Sequence, residues 1–236
     1  MNCSIDQMST SLSVVMPAYN EAQNIRRSIE AFSIYHNHVD HFEMIIVDDG
    51  STDETSDVVH QVMSEYDYLR LITLPHNQGY GAALWTGLKS ASMERVFFTD
   101  SDMQFDPAEL MVFLRLSPYA DLILGYRAQR QDPWIRRLNA FVWSKLVRKS
   151  LGVKVNDLNC AYKLFNRSVL DQIEPLSKGA AINADILLQA QKNACRWIEV
   201  PVEHYPRHLG VQTGAKPKVI SKALFDLASL YKAHLL

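Results

Sequence analysis

The chain has 236 residues, 47% of them hydrophobic and 21% charged, with a formal net charge of −2. That length and apolar content suit one α/β domain with a large buried core, and a charge balance so close to neutral gives no reason to expect nucleic acid as a partner. Cys3, Cys160 and Cys195 show neither metal-ligand nor redox spacing, which points to a reducing, cytoplasmic setting.

Residues 1–11 read as a polar tail without the charged and then apolar order of a secretory signal. Leu12 to Met16 is the first expected strand, broken by Pro17, with Asn20 and Gln23 placed to cap a helix from about Glu21. Met44 to Val47 is the second strand. It ends in Asp48-Asp49-Gly50-Ser51-Thr52-Asp53, where Gly50 allows a sharp turn and Ser51 with Glu54 can cap a helix to about Ser64. A third strand, Leu69 to Leu74, leads through Asn77-Gln78-Gly79-Tyr80-Gly81 into an alanine-rich helix to about Ser92.

The fourth strand, Val96 to Thr99, runs straight into Asp100-Ser101-Asp102-Met103-Gln104. Side chains alternate in an extended chain, so Asp100, Asp102 and Gln104 share one face if the stretch stays extended. Two carboxylates and an amide oxygen are hard ligands of the kind Mg²⁺ or Mn²⁺ takes, with waters and substrate phosphates completing the shell. Asp106, Pro107 and Glu109 read as the cap of the next helix, to Leu116. Asp121 to Gly125 is a fifth strand. Alternating strands and helices imply right-handed crossovers, a mostly parallel sheet flanked by helices, and a ligand crevice at the carboxyl ends of the strands.

Beyond Gly125 the alternation weakens. Pro133 to Ser150 is a long helix with Trp134, Ile135, Leu138, Phe141, Val142, Leu146 and Val147 beside Arg136, Arg137, Lys145, Arg148 and Lys149. A basic face next to such apolar residues suits a membrane interface and equally a core helix with a solvated side. Cys160 to Phe165 and Trp197 to Val202 are further strands around a helix from Asn183 to Lys192. Lys216 to Leu236 is a final amphipathic helix through Val219, Ile220, Ala223, Leu224, Leu227, Leu230 and Tyr231, open to membrane, core or homodimer contact. No apolar run reaches the roughly 18–20 residues of a membrane span. Any membrane contact is therefore expected to be peripheral, on the cytoplasmic face.

No Gly-x-Gly-x-x-Gly follows the first strand and no Gly-x-x-x-x-Gly-Lys-Ser/Thr occurs, which removes dinucleotide dehydrogenases and P-loop NTPases. What remains is an aromatic at one strand end, acids at the next and a metal-type cluster at the fourth.

Met16-Pro17-Ala18-Tyr19-Asn20-Glu21, Val47 to Asp53 and Asp100-Ser101-Asp102 together resemble the GT-A fold of family 2 glycosyltransferases. Asp102-Met103-Gln104, Asp106-Pro107, Gly125-Tyr126-Arg127 and Asp157 to Phe165 resemble its dolichol-phosphate mannose synthase and polyprenyl-phosphate branch. The likeness runs from about Leu12 to Gly214. It implies one domain over residues 12–236, with residues 12–127 as the nucleotide-sugar half and 128–236 as the acceptor half.

That resemblance also implies roles. Pro17, Ala18, Tyr19, Glu21, Asp100 and Ser101 would line the nucleotide, and Asp48 or Asp49 would read the base. Asp100, Asp102 and Gln104 would hold the metal, while Arg127, Lys163 and Arg207 would meet phosphate groups near Asp157. Ala161 and Lys163 depart from the family's Gly and Arg; a lysine keeps the charge and loses the bidentate fork. The implied reaction is inverting, metal-dependent transfer of a hexose from a GDP- or UDP-sugar to a polyprenyl phosphate. A hydroxyl acceptor would instead require a base, for which Asp157 or Asp185 is available in sequence. A non-catalytic nucleotide-sugar-binding protein on the same fold is the reading from a different class.

Overall fold

The computed structural model describes residues 8–128, 134–207, 209 and 217–235, and the side chains of all these except 134–141, 217–222 and 234–235. Seven strands, β1 (Met8–Ala18), β2 (Val39–Asp48), β3 (Leu69–Thr73), β4 (Arg95–Thr99), β5 (Leu122–Arg127), β6 (Tyr162–Asn166) and β7 (Trp197–Val202), form one sheet in the order β3-β2-β1-β4-β6-β5-β7. Eight α-helices accompany them among the described residues: α1 (Ile25–Ser33), α2 (Thr55–Met63), α3 (Tyr80–Ser90), α4 (Leu110–Leu116), α5 (Trp134–Leu151), α6 (Arg167–Asp171), α7 (Ile182–Lys192) and α8 (Pro217–Leu235).

Central strands of this sheet are buried on both faces, as their unbroken apolar runs require. Val14, Val15 and Met16 of β1, Met44 to Val47 of β2 and Val96 to Phe98 of β4 are all without solvent contact. β6 runs antiparallel between β4 and β5, with Thr99 opposite Tyr162 and Leu122 opposite Phe165. The other pairings are parallel. The exception matters for the site. Parallel strands bring their carboxyl ends to one edge, and an antiparallel strand brings its beginning there, so the loop before Tyr162 joins the ends of β1, β2, β4 and β5.

The strand expectations hold, with shifts. Met8 to Ser11 belong to β1 and pair with β2 through Val39 and His41, where a polar tail was expected. α1 begins at Ile25 because Asn20, with φ +56°, binds the neighbouring loop: its backbone N–H donates to Ser51 Oγ at 2.9 Å and its Oδ1 accepts from Thr52 N at 2.8 Å. Ser51 is thereby tied to the first loop and does not cap α2, whose first N–H is taken by Asp53. Asp106 caps as expected, but Glu109 accepts from Glu203 N at 3.0 Å and closes no capping box.

α5 and α8 pack against each other. Val147 and Leu151 of α5 and Ala223, Leu227 and Leu230 of α8 are buried, whereas Val142, Leu146, Leu224, Phe225 and Tyr231 stay exposed. The side chains of Trp134, Ile135, Arg136, Arg137, Leu138, Phe141, Val219 and Ile220 lie outside the described residues. Among the described residues no helix is long and apolar enough to cross a membrane.

Candidate active site

At the shared sheet edge the chain turns directly after β4. Met103 takes φ +59°, so the stretch does not stay extended and the three expected ligands do not share one face. Asp100 and Asp102 remain neighbours. Asp100 Oδ1 is buried and has no hydrogen-bond partner among the described residues. Burial, and after it the charge of Asp102, push the Asp100 carboxyl up to about 7, against which the Tyr80 hydroxyl pulls it down. Asp102 is likewise raised by burial, although Arg207 counters the effect. An orphaned buried carboxylate oxygen beside a second carboxylate is a donor set that a divalent cation fits. Among the described residues no three His, Cys, Asp or Glu gather to hold an ion by themselves.

Gln104 is tied to another segment through its amide nitrogen and its backbone. Its Nε2 donates to Tyr205 O at 2.9 Å and its backbone carbonyl accepts from Tyr205 N at 2.8 Å, so it fastens the segment after β7. Ser101, expected at the nucleotide, points inward: it is 3% exposed and its hydroxyl donates to Pro17 O at 3.1 Å.

The first loop carries Tyr19 at the surface, over buried Pro17 and Ala18. Asp48 and Asp49 are buried, and both carboxylates are committed to the chain. Asp48 accepts from Ser51 N at 2.9 Å and from the Ser56 hydroxyl; Asp49 accepts from Gln78 N at 2.7 Å and Gly79 N at 2.9 Å. They therefore hold the chain's own loops together, whereas the ring of Tyr19 is exposed.

On the other side, Arg127 and Asp157 form a bidentate pair, Nε to Oδ2 at 2.6 Å and Nη2 to Oδ1 at 2.9 Å. Asp157 is thus the residue that aims Arg127. Lys163, expected to meet a phosphate, is 1% exposed and commits its charge to the chain. Its ammonium donates to Leu158 O at 3.1 Å and to Cys160 O, lies 5.3 Å from the Phe98 ring centroid, and is lowered by burial to about 8. It fixes the loop that presents Asp157. Asp185 is buried and accepts from Leu176 N at 2.6 Å and Ser177 N at 2.9 Å.

Arg207 arrives on the strap after β7. Its Nη2 donates to Glu21 Oε1 at 2.6 Å and its Nε to Leu209 O at 2.7 Å, and Nη1 lies 3.5 Å from Asp102 Oδ2. Asn24 Nδ2 steadies the other Glu21 oxygen at 2.8 Å. His208 and residues 210–213 lie outside the described residues. Sequence reasoning missed Tyr80 and Asn24. An aromatic between two glycines at the third strand's end was the available signal for Tyr80; nothing local marks Asn24, whose part is set by a carboxylate three residues away and a strap from the other end of the chain.

The family described as Glycosyl transferase family 2 matches residues 13–174. The chain is similar to an undecaprenyl-phosphate 4-deoxy-4-formamido-L-arabinose transferase of Pseudomonas syringae pv. syringae (strain B728a), 28% identical over 219 residues, covering 92% of this chain and 64% of that protein. It is 32% identical over 171 residues to a dodecaprenyl-phosphate galacturonate synthase of Rhizobium johnstonii, covering 70% of this chain and 51% of that protein. The chain therefore spans between about half and two thirds of the length of these relatives. Among solved structures it is similar to glucosyl-3-phosphoglycerate synthase from Mycobacterium tuberculosis in complex with Mn²⁺, UDP and glucosyl-3-phosphoglycerate, with a TM-score of 0.73 at 22% identity over 94% of this chain and 80% of that one. At that identity the likeness is one of fold.

Proposed function

The chain belongs to glycosyl transferase family 2, and we propose that it transfers a hexose from a GDP- or UDP-sugar to a polyprenyl phosphate, with inversion and with a bound Mg²⁺ or Mn²⁺. The observation that carries this reading is the Asp100–Asp102 pair at the carboxyl end of β4, where one buried carboxylate oxygen has no hydrogen-bond partner among the described residues. A divalent cation held there stabilises the charge that develops on a diphosphate leaving group.

The chain's own residues divide the remaining work. Tyr19 offers an aromatic face to the base, Asp100 and Asp102 hold the cation, and Arg127, locked by Asp157, presents a fixed guanidinium fork toward the phosphates. The acceptor follows from what the carboxylates are doing. A hydroxyl acceptor must lose a proton near the transition state, which requires a free base. Asp157 is clamped to Arg127 and Asp185 to a loop backbone, so neither fills that part. A lipid phosphate is already anionic and asks for cations. The names of the curated relatives, both polyprenyl-phosphate sugar transferases, support the same acceptor class.

Exposed Val142, Leu146, Leu224, Phe225 and Tyr231, beside exposed Lys145, Arg148, Lys149 and Lys232, support peripheral contact of the α5–α8 face with an anionic membrane surface. Asp102→Asn tests the metal assignment: metal-dependent nucleotide release is expected to fall at least about a hundredfold with the fold intact. Undiminished release in that variant would remove the assignment.

A further inference from the structure

We infer that Arg207 is the resident cation of the carboxylate cluster at this edge, and that it makes entry of a divalent ion depend on a nucleoside diphosphate. This rests on the donor reading above and concerns how the site fills.

Glu21 from the first loop and Asp102 from the end of β4 both face Arg207, and Asp100 stands beside Asp102. Arg207 serves two of them, at 2.6 Å to Glu21 and 3.5 Å to Asp102, and leaves Asp100 Oδ1 without a hydrogen-bond partner among the described residues. Its side chain is 11% exposed, and its third nitrogen is taken by Leu209 O at 2.7 Å. The guanidinium is thus mostly buried, with each of its nitrogens facing an oxygen. A dication shared by Asp100 and Asp102 would sit against the carboxylate whose Oδ2 Arg207 faces at 3.5 Å, and like charges held that close in a site of low dielectric repel.

A diphosphate changes the balance. It gives the guanidinium another bidentate anion, so Arg207 can leave Asp102 without losing its charge partner. The same movement frees the carboxylate for the metal. Nucleotide and metal are therefore coupled through one side chain, and by linkage the coupling is reciprocal.

The test is Mn²⁺ binding followed by the electron paramagnetic resonance signal of the free ion, with no donor, with UDP and with GDP. In the parent protein one nucleotide is expected to tighten Mn²⁺ at least about tenfold. In Arg207→Met, Mn²⁺ alone is expected to bind about tenfold more tightly than in the parent, and the nucleotide's added effect to shrink correspondingly. Arg207→Lys, which keeps the charge but cannot span both carboxylates, is expected to fall between and serves if the methionine variant does not fold. Mn²⁺ binding that is no tighter in either variant overturns the inference while leaving the donor reading in place. A parent protein that binds no Mn²⁺ with either nucleotide overturns the donor reading, and this inference with it.

Discussion

Asp100 is the residue at which stability and chemistry pull apart. Its carboxyl is buried beside Asp102 with one oxygen unpartnered among the described residues, an arrangement that costs the metal-free protein free energy and makes sense when a cation arrives. Asp100→Asn is therefore expected to raise the stability of the metal-free protein by about 1 kcal/mol and to abolish the shift in melting temperature that Mn²⁺ with nucleotide produces. A retained Mn²⁺ shift would contradict this. Lys163 makes the opposite case. Burial lowers its ammonium to about 8 from the ordinary 10.5, so between those values the unfolded chain holds a proton that the folded chain has given up. The contribution of this group to stability consequently rises with pH across that window. Lys163→Met is expected to remove that rise and to cost about 1–3 kcal/mol by orphaning the Leu158 and Cys160 carbonyls, measured by urea unfolding of both proteins at pH 8 and pH 10. The residue types at Asp100 and Asp102 were legible in sequence because strand and acids adjoin. The directions of Lys163, Gln104 and Ser101 were not, because each is set by a partner the local pattern does not reveal: the Lys163 ammonium by a loop it must hold, Gln104 by Tyr205, and Ser101 by Pro17.

Loops at the strand ends are built as interlocking elements. Gly50 shows how tightly: at φ +65°, a Cβ there would come within 2.5 Å of the His76 carbonyl carbon, which is backbone and cannot yield cheaply. Gly50→Ala is expected to destabilise the protein by about 1–3 kcal/mol and to loosen the 76–79 turn that Asp49 holds, measurable as faster amide exchange at Gln78 and Gly79. Unchanged exchange there would mean that the two loops are not coupled. The alternation of apolar strands and amphipathic helices made most elements legible. The late start of α1 was not, because Asn20 satisfies the neighbouring loop and not its own helix. Nor was the antiparallel sense of β6, since a short buried strand carries no mark of direction.

At the scale of the molecule, the sheet gathers the ends of β1, β2, β4 and β5 and the start of β6 at one edge, and the α5–α8 pair shows solvent a surface of exposed apolar and basic side chains. If that surface meets lipid, flotation with vesicles containing anionic lipid is expected to carry the protein upward, and Phe225→Asp, at a position 73% exposed, to weaken binding several-fold with no loss of stability. Equal flotation of both proteins would turn the face toward a protein partner, including a second copy.

Transfer to a lipid phosphate is tested by turnover of a panel of UDP- and GDP-sugars with Mn²⁺ or Mg²⁺, with and without a short-chain polyprenyl phosphate. One donor is expected to release its nucleotide only when the lipid phosphate is present, with the sugar recovered on the lipid. Slow release that ignores the lipid phosphate, or that requires a hydroxyl acceptor, would contradict that transfer.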